Sequence, residues 1–389
     1  MNKKLKTLLI LSAFTCLASQ GLISLNVEAN QGFVSTSTTT KASKYGKIHV
    51  DKSVRFNEKS DVNKHKNLKT ATLPSSYSSV TNGYITSVKD QNPYGTCWAF
   101  AASAASESSL IKNQGYNVNT IDLSELHLAY FNYNDAYDAL GLLSGDSSKT
   151  SSDNTEGYLD SGGSNYLSML AYARWAGPID EKVNTSFKYS NAKSSFKAPS
   201  TTNAYDLDLV HLENCYLIDP NDISLMKQMI MDYGAGDFAY YHDNYDKYYN
   251  STNGSYGYVQ SVTSDNNSFN WSNHEVTVVG WDDNYSSSKF NSASKVTQNG
   301  AWLVKNSWNT DWGNSGYFWL SYQDSAMLAE PAAFYEYGAV DHYQNNYQYD
   351  GTSNFSAEYS NASDGYGYQR TNLCKQYRFS LLKRVLNMK

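Results

Sequence analysis

The chain has 389 residues and a formal net charge of -6, with 40% hydrophobic, 14% aromatic and 17% charged residues. That composition excludes a chain too polar to collapse, and the length predicts two or three folding units. The mildly acidic balance supplies no global cationic field for a phosphate backbone, which excludes nucleic acid as an expected partner.

Lys3, Lys4 and Lys6 precede the apolar run Leu8 to Leu25, and Val27-Glu28-Ala29 suits a signal-peptidase cut. Residues 1–29 therefore read as a secretory signal peptide. Ser12, Thr15, Ser19, Gln20 and Gly21 dilute the run, so no stable membrane span is expected after cleavage, and the expected location is secreted or at the cell surface. Residues 30–72 carry Lys41, Lys44, Lys47, Lys52, Arg55, Lys59, Lys64, Lys66 and Lys69 against Asp51, Glu58 and Asp61. They lack a sustained apolar period and read as a basic, weakly structured prosegment resting on an acidic body.

Gln91-Asn92-Pro93-Tyr94-Gly95 is turn chemistry. Ala99, Ala101, Ala102, Ala104, Ala105, Glu107 and Leu110 then predict a helix from Cys97 to about Asn113, stopped by Gly115. Cys97 falls in its first turn, where unpaired N–H groups and the helix dipole favour the reactive thiolate. The four cysteines, Cys16, Cys97, Cys215 and Cys374, have neither CxxC nor metal-ligand spacing, so no metal site and no disulfide framework is expected. Further helices are predicted over 123–130, over 164–176 just after Gly162-Gly163, and over 223–231 behind the cap Asp222.

A thiol needs a base, and of seven histidines His274 has the distinctive context: it opens the β-branched run Glu275-Val276-Thr277-Val278-Val279-Gly280-Trp281. Trp302-Leu303-Val304-Lys305-Asn306-Ser307-Trp308 and Tyr317-Phe318-Trp319-Leu320 read as two more strands of an antiparallel sheet. Helices before about residue 235 and strands after it predict an α+β fold, with a helical half, a sheet half and the active site between them.

Gln91, Cys97-Trp98-Ala99-Phe100, His274 and Asn306-Ser307-Trp308 occur in that order. Together with Leu73-Pro74-Ser75, Leu123-Ser124-Glu125, Gly162-Gly163 and Asn314-Ser315-Gly316-Tyr317, they resemble the papain-like cysteine peptidases over about residues 73 to 335. The resemblance implies a two-lobed fold, a protein or peptide substrate and no cofactor. It implies Cys97 as nucleophile, His274 as its partner, Asn306 orienting the ring, and Gln91 with the Cys97 N–H as oxyanion hole. Gly162, Gly163 and Asn273 would line the substrate, with Trp98 and Trp308 in support. Ser272 and Asn273 offer no charge for a basic substrate side chain, so the expected preference is apolar or aromatic.

Some features depart from the family pattern. Tyr94 stands where many members carry a disulfide cysteine. Cys97 and His274 are roughly 180 residues apart, against the roughly 130–150 of papain-type enzymes, which points to insertions such as 131–160. The His274-to-Asn306 link is also swollen, over 282–300. The short prosegment resembles the bacterial branch, in which a lectin-like domain follows the peptidase. The expected organisation is thus a peptidase domain over 73–332 and a partial lectin-like segment over 333–389, with a cell-wall or glycan contact through the latter. Its tail holds Arg370, Lys375, Arg378, Lys383, Arg384 and Lys389 without an acid, as a truncation or frameshift would leave it. The rival readings are a thiol-dependent acyltransferase or transpeptidase, since amines also resolve an acyl-cysteine, and a silent secreted adhesin on a peptidase scaffold.

Overall fold

Small side chains all round make the first helix a core element rather than a surface one. In α1 (Cys97–Gln114) every residue from Cys97 to Ile111 except Ala104 is buried. Gly115 ends it with φ 73°, and its N–H and that of Tyr116 bond the carbonyls of Ile111 and Leu110. A computed structural model of the chain describes residues 73–134, 136, 157–243, 246–259, 272–327, 330–343 and 346. The expected signal peptide and prosegment, most of the 131–160 insertion and the basic tail lie outside these described residues.

Two further helices belong to the helical half among the described residues. In α2 (Glu125–Tyr133) the Ser124 hydroxyl accepts the N–H of His127 at 3.0 Å, while α3 (Asn165–Ala173) follows the glycine pair. Leu126, Phe131, Tyr166, Tyr172 and Phe187 pack with α1 into one core. The fourth helix, α4 (Ile223–Tyr233), is capped by Asp222 and buries Met226, Met229 and Ile230 in a second core, with the sheet.

The strands are β1 (Ser76–Ser78), β2 (His211–Ile218), β3 (Gly236–Tyr240), β4 (Tyr249–Asn250), β5 (Ser255–Tyr256), β6 (His274–Asp282), β7 (Ala301–Lys305), β8 (Tyr317–Ser321) and β9 (Ala332–Gly338). They form one sheet in the order β2-β9-β3-β6-β7-β8-β5-β4, with β1 added along β6. All pairings are antiparallel except β5 with β8, which is parallel and makes the sheet mixed. The helix-to-strand switch expected near residue 235 is also not clean, because β1 and β2 precede it. In β2 the polar pair Glu213-Asn214 and a register shift between Leu212 and Asn214 break the alternation that marks a strand.

β6 lies at the centre of this arrangement, with eight of its nine residues buried. Trp281 faces Trp302 of β7, and both are fully covered, so their large rings fill the second core. α1 crosses β3, β6 and β9, so its N-terminus and the start of β6 meet where the two cores adjoin. The expected boundary at 332/333 falls at the head of β9, whose residues up to Gly338 pair with β2 and β3 and so belong to this sheet. Across 282–300, the swollen link folds into short turns under a small cluster of Tyr285, Phe290 and Ala301. Among the described residues, no helix is long and apolar enough to cross a membrane.

Candidate active site

Cys97 is the first residue of α1, and nothing local competes for the positive end of that helix. Its first turn holds no acid, and the preceding Thr96 makes no side-chain cap. The Thr96 hydroxyl bonds instead to Tyr189 Oη at 2.6 Å, and Tyr189 donates to the Gln91 carbonyl at 2.7 Å. With its ring edge-on to Phe100, Tyr189 clamps the 91–96 turn to the helix start. Tyr94, in the place of a disulfide cysteine, reaches the Ala192 carbonyl at 3.1 Å. A hydrogen bond thus ties this turn to a loop 98 residues further along the chain.

The start of β6 meets the sulfur. The backbone N–H of Glu275 donates to Cys97 Sγ at 3.4 Å, which sets His274 immediately beside the thiol. β7 pairs Lys305 with Thr277, and the chain continues past Lys305 alongside the first residues of β6. That register delivers the next contact: His274 Nε2 donates to Asn306 Oδ1 at 2.8 Å. With Nε2 committed, Nδ1 is the ring nitrogen able to exchange a proton with the thiol. Trp308 stacks on the imidazole at 4.4 Å and 18°, shielding the His274–Asn306 bond from water.

Gln91 joins the same group from the other side. Its N–H bonds the Ser307 carbonyl at 2.9 Å, the Ser307 hydroxyl donates to its Oε1 at 2.8 Å, and its Nε2 donates to the Tyr94 carbonyl at 3.0 Å. The side-chain amide is fixed by partners that also hold the strand end carrying Asn306. Cys97, His274, Asn306 and Gln91 are all buried, Cys97 and His274 at 0% exposure.

The remaining sequence candidates flank this centre. The φ of 77° at Gly162 favours glycine, and its carbonyl accepts from Tyr133 Oη at 2.7 Å. Gly163 lies so close to Trp98 that a Cβ would stand 2.1 Å from the indole. The Asn273 side chain is knit to the backbone of His242 on both sides, accepting its N–H at 2.7 Å and donating to its carbonyl at 2.8 Å. Behind Trp308, the buried His242 ring bonds Tyr240 Oη and Asp246, a neighbour that its loop-like sequence context concealed. Tyr189 and the Glu275 side chain were likewise unmarked, and Ser307 was read only as part of the Asn306-Ser307-Trp308 motif: each contributes through a contact that closes only in three dimensions.

Charge collects one layer below. Lys305, next to Asn306, is buried, and that burial lowers its pKa to about 8; its Nζ donates to Thr86 Oγ1 at 3.1 Å. Lys89 meets Glu107, Asp122 and Glu125 at 2.7–3.1 Å. Burial would lower its pKa, but the three carboxylates outweigh that and hold it well above the ordinary value. These pairs brace the loop before Gln91 against α1 and α2. Among the described residues, no group of three or more His, Cys, Asp or Glu is placed to hold a metal.

The sequence pattern of the papain family cysteine proteases matches residues 73–336. The chain belongs to that family. The senescence-specific cysteine protease SAG12 of Arabidopsis thaliana is 25% identical over 262 residues, covering 65% of this chain and 58% of its own length. Procathepsin L of Felis catus is 27% identical over 248 residues, covering 63% and 60%. Among solved structures, the protease and lectin-like domains of Cwp84, a surface layer associated protein of Clostridium difficile, superpose with a TM-score of 0.53 at 28% identity over 68% of this chain and 52% of that one. The chain spans less than two thirds of the length of each of these relatives. The papain-like fold is the two-lobed α+β architecture described above, with the four candidate residues where its lobes adjoin.

Proposed function

We propose that residues 73–336 are a cysteine endopeptidase that hydrolyses peptide bonds through an acyl-enzyme. The observation that carries this reading is the meeting of Cys97 Sγ at a helix N-terminus with the head of β6, where His274 is held by Asn306. In this reading, Cys97 and His274 exist as a thiolate–imidazolium pair. The sulfur attacks the scissile carbonyl and forms a thioester, the C–N bond breaks, and His274 gives its proton to the leaving amine. Water then attacks the thioester with His274 taking its proton, the C–S bond breaks, and the acid is released with the thiolate–imidazolium pair restored. The neutral Asn306 amide orients the ring without adding a second negative charge beside the thiolate. Gln91 Nε2 and the Cys97 N–H receive the charge that develops on the carbonyl oxygen.

The Gly162-Gly163 loop is proposed to pair with the substrate main chain, and Asn273 to border it through its backbone, its side chain being engaged with His242. The basic segment 30–72 is further proposed to act as a prosegment whose removal gives access to the site, its positive charge set against an acidic body. Export by the N-terminal signal fits a peptidase kept inactive until it leaves the cell.

The test is cleavage of an unstructured protein by the purified chain, before and after removal of the residues preceding Leu73. Wild type should cleave, more so after removal, and Cys97→Ala should not; equal cleavage by both excludes the proposed nucleophile. Adding a small amine separates hydrolysis from acyl transfer: a peptidase yields acid products, a transpeptidase amides.

A further inference from the structure

Glu275 is completely buried beside the nucleophile, and its carboxyl group has no part in the chemistry above. While its backbone N–H points at Cys97, its side-chain Oε1 accepts the N–H of Asn165, the first residue of α3, at 2.8 Å. That helix has no local side-chain cap from Ser164, so the carboxyl replaces it with a contact from 110 residues away in sequence. The Asn165 side chain donates in turn to the Pro331 carbonyl at 2.8 Å, just ahead of β9. A strand position that needed only packing would hold an apolar side chain, because burying a carboxyl is costly unless it is hydrogen-bonded.

We propose that Glu275 is a positioning residue that fixes the Gly162-Gly163 loop at a set distance from the Cys97–His274 pair, and so aligns the substrate main chain with the sulfur. The inference rests on the peptidase reading above. Two anchors then hold the loop: the Trp98 indole packed under Gly163, and the Glu275 carboxyl on the N–H two residues further on. Both reach it from residues adjacent to the catalytic pair.

Three variants test this: Glu275→Ala, Glu275→Gln, whose amide oxygen can still accept the N–H, and Asn165→Pro, which deletes that N–H at a helix position that tolerates proline. Glu275→Ala should raise KM about tenfold while kcat stays within about threefold, the signature of main-chain binding lost equally from the ground state and the transition state when the loop is no longer held in place. The Cys97 alkylation rate with iodoacetamide should stay near wild type. Glu275→Gln should restore KM, Asn165→Pro should reproduce the rise, and the double variant should add nothing to it. Amide hydrogen exchange over residues 162–167 reads the tether without substrate, and should be faster in Glu275→Ala and Asn165→Pro but not in Glu275→Gln. The proposal is overturned by an unchanged KM and exchange rate in Glu275→Ala, by Glu275→Gln as impaired as Glu275→Ala, or by effects that multiply in the double variant. If Glu275→Ala does not fold, the contrast between Glu275→Gln and Asn165→Pro decides in the same way. Cleavage that survives Cys97→Ala sinks the peptidase reading instead, and is told apart because exchange still reports on the loop.

Discussion

Cys97 owes its proposed reactivity to what is missing around it as much as to its partner: Thr96 spends its hydroxyl on Tyr189, and no acid occupies the first turn. Replacing Gln91 with Ala should lower kcat by about 100- to 1,000-fold at nearly constant KM, the loss expected for one oxyanion donor, measured by steady-state kinetics on a peptide amide. A loss confined to KM would place Gln91 outside the oxyanion hole. At this scale much was legible. Cys97 and His274 stand out by local context and Gln91 and Asn306 by the family resemblance, and the structure brings the four together. Glu275 was hidden inside a β-branched run that explains itself as a strand, and Tyr189 is one of 34 tyrosines. Their contacts span 110 and 98 residues, which no local pattern encodes.

Elements respond to packing and burial. Gly163→Ala should destabilise the chain by about 1–3 kcal/mol in urea unfolding, because its Cβ must displace the Trp98 ring within a closed core. A neutral result would mean that the 162–164 loop yields freely. His127 in α2 supplies a pH test. Burial lowers its pKa to about 4, against 6.5 unfolded, with Nε2 on the Asn203 carbonyl at 2.8 Å. The unfolded chain then binds a proton that the folded chain refuses between those values, so this residue makes stability fall as pH drops through that window. Unfolding free energies at pH 7 and pH 5 should differ by about 2 kcal/mol more in wild type than in His127→Gln. The elements easiest to read were those with strong internal grammar, such as the alanine-rich α1 and the Val/Trp runs of β6 and β7. β3 is five residues opening on a glycine, and β2 is broken by its bulge, so both depend on neighbours for their identity.

For the whole molecule, β9 is the strand that binds first to last. It runs between β2 and β3 and lends Tyr335 and Tyr337 to the helical core and Phe334 to the sheet core. A chain ending at Pro331 should therefore lose its cooperative melting transition, whereas one ending at Asn346 should keep it, as followed by circular dichroism. Survival of the shorter chain would show that β9 is dispensable. Composition and the helix-then-strand order indicate an α+β architecture, yet they could not assign α4 to the sheet half or place β9 between β2 and β3, since both follow from chain crossings rather than local sequence.

The account turns on a thiolate at Cys97 that His274 sustains. The direct measurement is the pH dependence of Cys97 alkylation by iodoacetamide, in the chain freed of residues preceding Leu73, for wild type and His274→Ala. The prediction is substantial reactivity persisting well below the roughly 8.5 of an ordinary thiol in wild type, with that low-pH limb abolished in His274→Ala. Identical profiles rising only near that ordinary value in both proteins would contradict it.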